Sequence, residues 1–285
     1  MRCFLKRVVL IFAVTIVALA SMSIGPSVER AIAAPTLYIA QSNGGFVENL
    51  VTRVQALFVR RASASPPAGR RKGGAGRGRR CPSTPYSIAA LVPSWSTSAA
   101  ALPNEISRIV APELIYGTTI LANPTFLVYM PYTAESARSA KLMVLDEAGH
   151  QVIPEPIKIE LPKTPGIMSV QFPEVLGVGK LYNWYFSVVC DEQKPSRNPG
   201  VRGWIQRVEI SQGLRNALGQ TAETATFEIY ARYGIWFESV SALANAYRLD
   251  QSNETIERTW TELLNGLGLA APEEMPLADE PLVSN

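Results

Sequence analysis

Residues 181–191 alternate between a large apolar face and a mixed face, and this period of two restricts the segment to a β-strand. The apolar face carries Tyr182, Trp184, Phe186, Val188 and Cys190. We expect this face to lie in the core, because large apolar side chains gain most from leaving water. Cys190 would then point inward at the end of the strand.

Short β-rich runs of the same kind, separated by turn residues, fill the middle of the chain. The predicted strands are 87–92, 126–130, 141–145, 157–161, 166–172, 181–191 and 201–210. Turn sequences such as Asn123-Pro124 and Asn198-Pro199-Gly200 separate them. No helical period lies between these runs, so residues 83–212 are predicted to form an antiparallel β-sandwich.

From Ala222 the hydrophobic pattern changes to a helical period. Three runs carry it, with apolar residues at 227–231, 235–247 and 256–267, and Ser252 or Asn253 is placed to cap the third. We therefore predict an α+β fold in which a helical cap of two to three helices, residues 213–270, follows the sandwich. The Pro- and acid-rich end, 271–285, is predicted to be a disordered tail.

The first 33 residues have the pattern of a secretory signal peptide. Three basic residues precede an apolar run at 8–20, and the small-residue pattern Ala31-Ile32-Ala33 follows. The run is shorter than the ~20 residues that cross a bilayer. The pattern predicts export to the periplasm or the exterior. An earlier cleavage site at 18–20 and an uncleaved anchor reaching Ile24 remain open alternatives.

Between this leader and the sandwich, the sequence predicts two different segments. Residues 34–61 contain an amphipathic helix at 44–61, with apolar residues at spacings of three and four. Its apolar face is expected to dock on the main domain, and a membrane-surface role is the alternative. Residues 62–82 consist mostly of Ser, Pro, Gly, Ala and Arg, so this segment is predicted to be flexible.

The basic residues are strongly segregated. After Ala33 the chain holds 23 basic and 23 acidic residues, but eight of the bases lie within 60–80, where there is no acid. The remainder is therefore eight units negative. Glycine-spaced arginines stay accessible and can each donate two hydrogen bonds to a carboxylate, sulfate or phosphate. The predicted polyanion-binding residues are Arg70, Arg71, Lys72, Arg77, Arg79 and Arg80.

The expected ligand of this tract is an acidic polysaccharide, an anionic membrane surface or an acidic envelope protein, and nucleic acid is not expected outside the cytoplasm. The alternative is a solvated linker whose charge only keeps it extended.

Two cysteines, Cys81 and Cys190, remain after the leader. An even pair in an exported chain predicts a disulfide, although two unpaired thiols remain the alternative. Together with the single histidine, His150, they are too few ligands for a structural zinc site. No metal or other cofactor is predicted.

The sequence contains few residues that could carry out catalysis. His150 lies in a predicted surface turn, and there is no G-x-S-x-G or S-x-x-K motif to supply a nucleophile. The carboxylate pairs Asp146-Glu147 and Asp191-Glu192 could serve as acid and base, as in glycosidases. Both lie at predicted strand ends, where solvated turn acids are common.

Several short blocks of sequence, taken together, carry a family resemblance. They are 69–81, Gly117-Thr118-Thr119, Asn123-Pro124-Thr125-Phe126, Pro131-Tyr132, Pro165-Gly166-Ile167, Tyr182-Asn183-Trp184 with Cys190-Asp191, Gly203-Trp204-Ile205-Gln206-Arg207 and Tyr230-Ala231-Arg232-Tyr233-Gly234-Ile235-Trp236. Over about residues 69–270 the chain resembles domain-of-unknown-function family 928. The resemblance implies an exported cyanobacterial protein of undetermined activity, and it supplies no catalytic residues.

We therefore predict an exported envelope protein that is a non-enzymatic binding or assembly module, with a polyanion-contacting Arg/Gly tract. One alternative is an envelope glycan hydrolase that uses a carboxylate pair. Another is a protein-interaction adaptor, which would expose a row of aromatic residues among Trp236, Tyr247 and Trp260 on the helical cap. Packing in the core is the competing expectation for these three aromatic residues.

Overall fold

Two β-sheets and a set of helices make up the part of the chain that the computed structural model describes, residues 45–59, 81–96, 113–172 and 176–278. The strands are β1 Ala89–Ala90, β2 Ser94–Ser96, β3 Glu113–Thr119, β4 Thr125–Met130, β5 Ser139–Leu145, β6 Ile157–Ile159, β7 Gly166–Gln171, β8 Leu181–Val189 and β9 Gly200–Arg207. The α-helices are α1 Phe46–Val59, α2 Gln212–Leu218, α3 Thr226–Arg232, α4 Trp236–Leu249 and α5 Glu254–Gly266.

The two sheets face each other across the core. One has six strands in the order β2-β3-β9-β8-β5-β6, and the other has three in the order β1-β4-β7. The rings of Phe126, on the smaller sheet, and Trp184, on the larger, meet edge to face at 5.7 Å. Gly203 leaves room for this indole, because a Cβ there would lie 2.6 Å from its Cζ2 atom. All strand pairs are antiparallel except β3 with β9, which are parallel.

The alternating segment forms the strand predicted for it. Tyr182, Trp184, Phe186 and Val188 are all buried on the face of β8 that points to the smaller sheet. The six-stranded sheet thus has an inner face in the core and an outer face on the opposite side.

The helices pack as a cap on this sandwich, which confirms the predicted α+β fold. Helix α4 contacts both β3 and β4, and the Phe237 ring lies 5.2 Å from Phe126. The indole nitrogen of Trp236 donates a hydrogen bond of 2.8 Å to the carbonyl of Leu91. Asn253 caps α5, since its side chain accepts hydrogen bonds from Thr255 N and Ile256 N. The three predicted helices are present, and the short α2 precedes them.

The predicted amphipathic helix is α1, and its apolar face is buried. It packs on α3 and α5, where the Phe46 ring meets Phe227 at 5.7 Å and Val47, Leu50 and Val54 are buried. This confirms docking on the main domain over the membrane-surface alternative. Among the described residues, no helix is long and apolar enough to cross a membrane.

Two sequence expectations need correction. The run at 87–92 contains only the two-residue strand β1, and β2 and β3 were not predicted. Residues 271–278, predicted as part of a disordered tail, pack along β7: Ala278 N donates to Ile167 O at 2.9 Å, and Met275 is buried. Apolar side chains among the acids and the open edge of β7 account for this packing. The predicted leader lies outside the described residues, and so do residues 60–80, which include the Arg/Gly tract at 69–80.

Candidate functional site

The predicted disulfide is present at one end of the six-stranded sheet. Cys81 and Cys190 are bonded, with their Cα atoms 5.3 Å apart and a sequence separation of 109. Cys190 directly follows β8, so the bond fixes the start of the 81–96 segment to the end of a central strand. This confirms the pairing over two unpaired thiols.

The loop after Cys190 is held by its own polar side chains. The Asn198 side-chain oxygen accepts hydrogen bonds from Cys190 N at 3.1 Å and Asp191 N at 2.9 Å. The Asp191 carboxylate accepts from Gln193 N at 3.0 Å and Lys194 N at 3.1 Å. These bonds replace the strand ladder where β8 ends, and they fix a loop from which Lys194 and Arg197 are exposed.

Basic side chains predominate around this bond. Arg138 pairs with Glu192 at 3.1 Å, but both side chains are more than 60% exposed, so the pair adds little stability. It does neutralise Glu192. Lys194 and Arg197 take part in no side-chain ion pair among the described residues. At the disulfide end of the sheet Arg138, Lys194 and Arg197 thus outnumber Glu192 and the buried Asp191 by one charge, and both Lys194 and Arg197 are exposed.

The predicted polyanion-binding residues, Arg70, Arg71, Lys72, Arg77, Arg79 and Arg80, lie outside the described residues. Their attachment point, Cys81, is described.

The two carboxylate pairs do not form a common acid and base. The pair Asp146-Glu147 lies at the start of β8, because Glu147 Oε1 accepts a hydrogen bond from Leu181 N at 3.0 Å. The pair Asp191-Glu192 follows the other end of the same strand. At about 3.4 Å per strand residue the two pairs are ~30 Å apart. Glycosidase carboxylates lie less than about 10 Å apart.

Acids of both pairs hold turns. The Asp146 carboxylate accepts from His150 N at 2.8 Å and Ala148 N at 2.9 Å, and the first of these bonds is the main reason that its pKa is lowered. His150 lies in this turn with its side chain 80% exposed, as predicted. Asp191 is a turn acid, as predicted, but it is buried rather than solvated because its carboxylate folds back on the loop.

A buried carboxylate that sequence reasoning missed lies between the cap and the sandwich. Glu238, in the first turn of α4, is 6% exposed, and its Oε1 accepts hydrogen bonds from the Thr119 hydroxyl and from Leu121 N. Its Oε2 is buried without a hydrogen-bond partner among the described residues. Burial raises the pKa of Glu238 to about 7, against the opposing effect of the Thr119 hydrogen bond.

Threonine hydroxyls at the end of β3 complete this junction. Thr118 donates to the carbonyl of Gly234 and accepts from Trp236 N at 3.2 Å, so it binds the turn between α3 and α4, while the adjacent Thr119 binds Glu238 in the first turn of α4. Tyr230, on α3, faces Glu238, and the pKa of its phenol is raised by burial and then by the Glu238 charge. Since the threonine contacts join the helices to β3, we assign the cluster to the attachment of the cap.

The aromatic residues of the cap do not form a surface row. Trp236 and Trp260 are fully buried, and Tyr247 stacks on Trp260 with ring centroids 5.7 Å apart. Of the two expectations for these residues, core packing is the one that the structure shows. Nor do three or more His, Cys, Asp or Glu side chains cluster as a metal site in the described part of the chain.

The sequence matches a known protein family. A family model described as Domain of Unknown Function (DUF928) matches residues 72–277. The matched range begins within the Arg/Gly tract and includes both sheets and the helices of the cap. No curated protein matches the sequence.

Proposed function

The chain belongs to the family described as Domain of Unknown Function (DUF928), and from its own chemistry we propose that it is an exported, non-enzymatic module that binds an acidic polymer. The Arg/Gly tract at 69–80 makes the contact. The ligand chemistry is that of carboxylate, sulfate or phosphate groups on an envelope polysaccharide, membrane or protein.

The observation that carries this proposal is the position of the disulfide. An arginine-rich sequence on its own is as well explained by a linker. Here Cys81, the residue that follows the tract in sequence, is bonded to Cys190 on a folded surface where Lys194 and Arg197 are exposed, which supports a ligand site that combines the tract with these cations. Fixing one end of the tract also lowers the entropy cost when it binds.

Export is supported by two features that are independent of each other. The first 33 residues have the leader pattern, and the chain carries a disulfide, which persists mainly outside the reducing cytoplasm. The segregation of eight bases within 60–80 from a negative remainder favours anionic ligands.

Replacing five tract arginines with serine is expected to weaken polyanion binding. The variant changes Arg70, Arg71, Arg77, Arg79 and Arg80, and heparin serves as the probe. The variant should elute from a heparin column at a lower salt concentration than the wild type. The slope of log affinity against log salt should fall by up to about five, roughly one for each arginine that binds an anionic group of the ligand.

A matched variant controls for net charge. It replaces five exposed bases of the folded body with serine, namely Lys163, Lys180, Arg215, Arg232 and Arg258. It should elute close to the wild type. If both variants shift equally, only net charge matters, and if neither shifts, the tract is a linker; either result rejects the proposal.

A further inference from the structure

The outer face of the six-stranded sheet carries an exposed group of cations around a tyrosine. Strand register places Lys141 on β5 directly opposite Lys158 on β6. It also places Tyr185 on β8 between Met143 on β5 and Arg202 on β9. We call these five residues the cationic face. Its lysines and arginine are exposed, and Tyr185 and Met143 are half-buried.

Within β5, β6, β8 and β9 the outward positions carry basic residues but no acidic ones. On β5, β6, β8 and β9 the residues there are Ser139, Lys141, Met143, Leu145, Lys158, Leu181, Asn183, Tyr185, Ser187, Val189, Gly200, Arg202, Trp204 and Gln206.

Tyr185 adds a contact that a purely electrostatic surface would not need. Direct cross-strand neighbours have Cβ atoms about 5 Å apart, so Met143 and Arg202 flank the tyrosine on both sides. Tyr185 is thus a half-buried aromatic residue with a thioether on one side and a guanidinium on the other. Lys141 and Arg202 lie two strand spacings apart, ~10 Å across the sheet. A ligand that suits this face has apolar ring surfaces and anionic groups spaced along its length.

The cationic face also adjoins the disulfide. Ser139, two residues before Lys141, pairs with Val189, and Cys190 follows Val189. One extended ligand can therefore reach from the attachment point of the Arg/Gly tract to Lys141.

We propose that the cationic face is a binding site for an acidic polysaccharide. A sugar ring stacks on Tyr185, and carboxylate or sulfate groups contact Lys141 and Arg202. This proposal rests on the proposed function, because it names the polymer class that a polyanion-binding module would hold. It differs from the proposed function because it places the recognition of the ligand on the folded sheet and not on the Arg/Gly tract.

Binding of three polymers to the full chain tests the site. Alginate is the polyuronate probe, carboxyl-reduced alginate keeps the rings without the charges, and polyphosphate keeps charge without rings. Tyr185→Ser is expected to weaken alginate binding about fivefold, close to 1 kcal/mol, and to leave polyphosphate unchanged. Tyr185→Phe keeps the ring and should bind as the wild type does, which separates a loss of stacking from a loss of folding.

The charges are tested by the double variant Lys141→Ser with Arg202→Ser. It should weaken both alginate and polyphosphate and lower the salt slope by about two. Its control is Lys163→Ser with Lys180→Ser, which removes two exposed lysines away from the face and should have no effect. Carboxyl-reduced alginate should bind neither variant nor wild type measurably.

The outcomes separate this site from the tract. If Tyr185→Ser weakens polyphosphate as much as alginate, or weakens neither, the polysaccharide assignment is wrong. Single-stranded DNA that displaces alginate at lower concentration would also overturn it. If only the tract variant has weaker alginate binding, the cationic face is not the site. If only the variants of the cationic face have weaker alginate binding, the tract proposal fails and the proposal for the cationic face stands.

Discussion

Replacing Glu238 with glutamine is expected to stabilise the protein by about 3 kcal/mol at pH 8 and to change little at pH 4.5. The reason is the burial of this carboxylate between α4 and the end of β3, which raises its pKa to about 7 from an ordinary value of 4.5. Glutamine keeps the oxygen that accepts from Thr119 and Leu121 but carries no charge to bury.

The direction follows from proton binding. Below pH 4.5 Glu238 is protonated in both the folded and the unfolded chain, so it makes no pH-dependent contribution. Between about 4.5 and 7 the unfolded chain loses a proton that the folded chain retains, so stability falls as pH rises. Above about 7 the carboxylate is ionised in both states, and the full penalty remains. Each pH unit across this window corresponds to about 1.4 kcal/mol.

The measurement is the free energy of unfolding by urea at pH 4.5, 6 and 8. The wild type should lose stability across this series relative to Glu238→Gln. Glu228→Gln, an exposed acid on the neighbouring α3, is the matched control and should run parallel to the wild type. Parallel curves for Glu238→Gln and the wild type would mean that Glu238 is not buried as a charge.

The elements that were predictable are those that show one buried face. Strand β8 has a clear period of two because only its inner face is in the core, and α1, α4 and α5 have clear helical periods for the same reason. The disulfide was predictable because Cys190 is on the inward face at the strand end and only one other cysteine follows the leader.

Strand β3 was missed because both of its faces are covered. Leu114, Ile115 and Tyr116 are consecutive and all buried, and Thr118 and Thr119 are fully buried as well. A strand covered on both sides has no alternation to detect. Its threonines look solvent-exposed in sequence, yet their hydroxyls bind the α3–α4 turn and Glu238.

Contacts with distant parts of the chain also explain why the burial of two acids was not predicted. Glu238 lies in the first turn of a helix and Asp191 at a strand end, and both are positions where acids are usually solvated. Their burial comes from contacts with distant or folded-back segments, Thr119 for Glu238 and the 193–198 loop for Asp191. No local pattern encodes such contacts. The cationic face could likewise not be predicted from the sequence, because only the strand register places Lys141, Lys158 and Arg202 on the same side of the sheet.

Removing the disulfide with the double variant Cys81→Ser and Cys190→Ser is expected to lower the free energy of unfolding by about 2 to 4 kcal/mol. The bond closes a loop across 109 positions. The chain-entropy model gives about 4.7 kcal/mol for a loop of 100 residues, and measured effects are usually smaller. Replacing both cysteines leaves no unpaired thiol after the leader. Urea unfolding with and without dithiothreitol measures the effect, and reduction should destabilise the wild type while leaving the variant unchanged.

The same variant tests the link between fold and function. All arginines of the tract remain in it, so a tract that binds independently of the sheet would elute from heparin at the wild-type salt concentration. We expect earlier elution, because the tract and the surface around Lys194 are then no longer held together and binding no longer benefits from a high effective concentration. Measuring at low temperature, where the variant is still folded by circular dichroism, separates this effect from unfolding. Unchanged elution by the folded variant would show that the disulfide stabilises the fold without organising the binding surface.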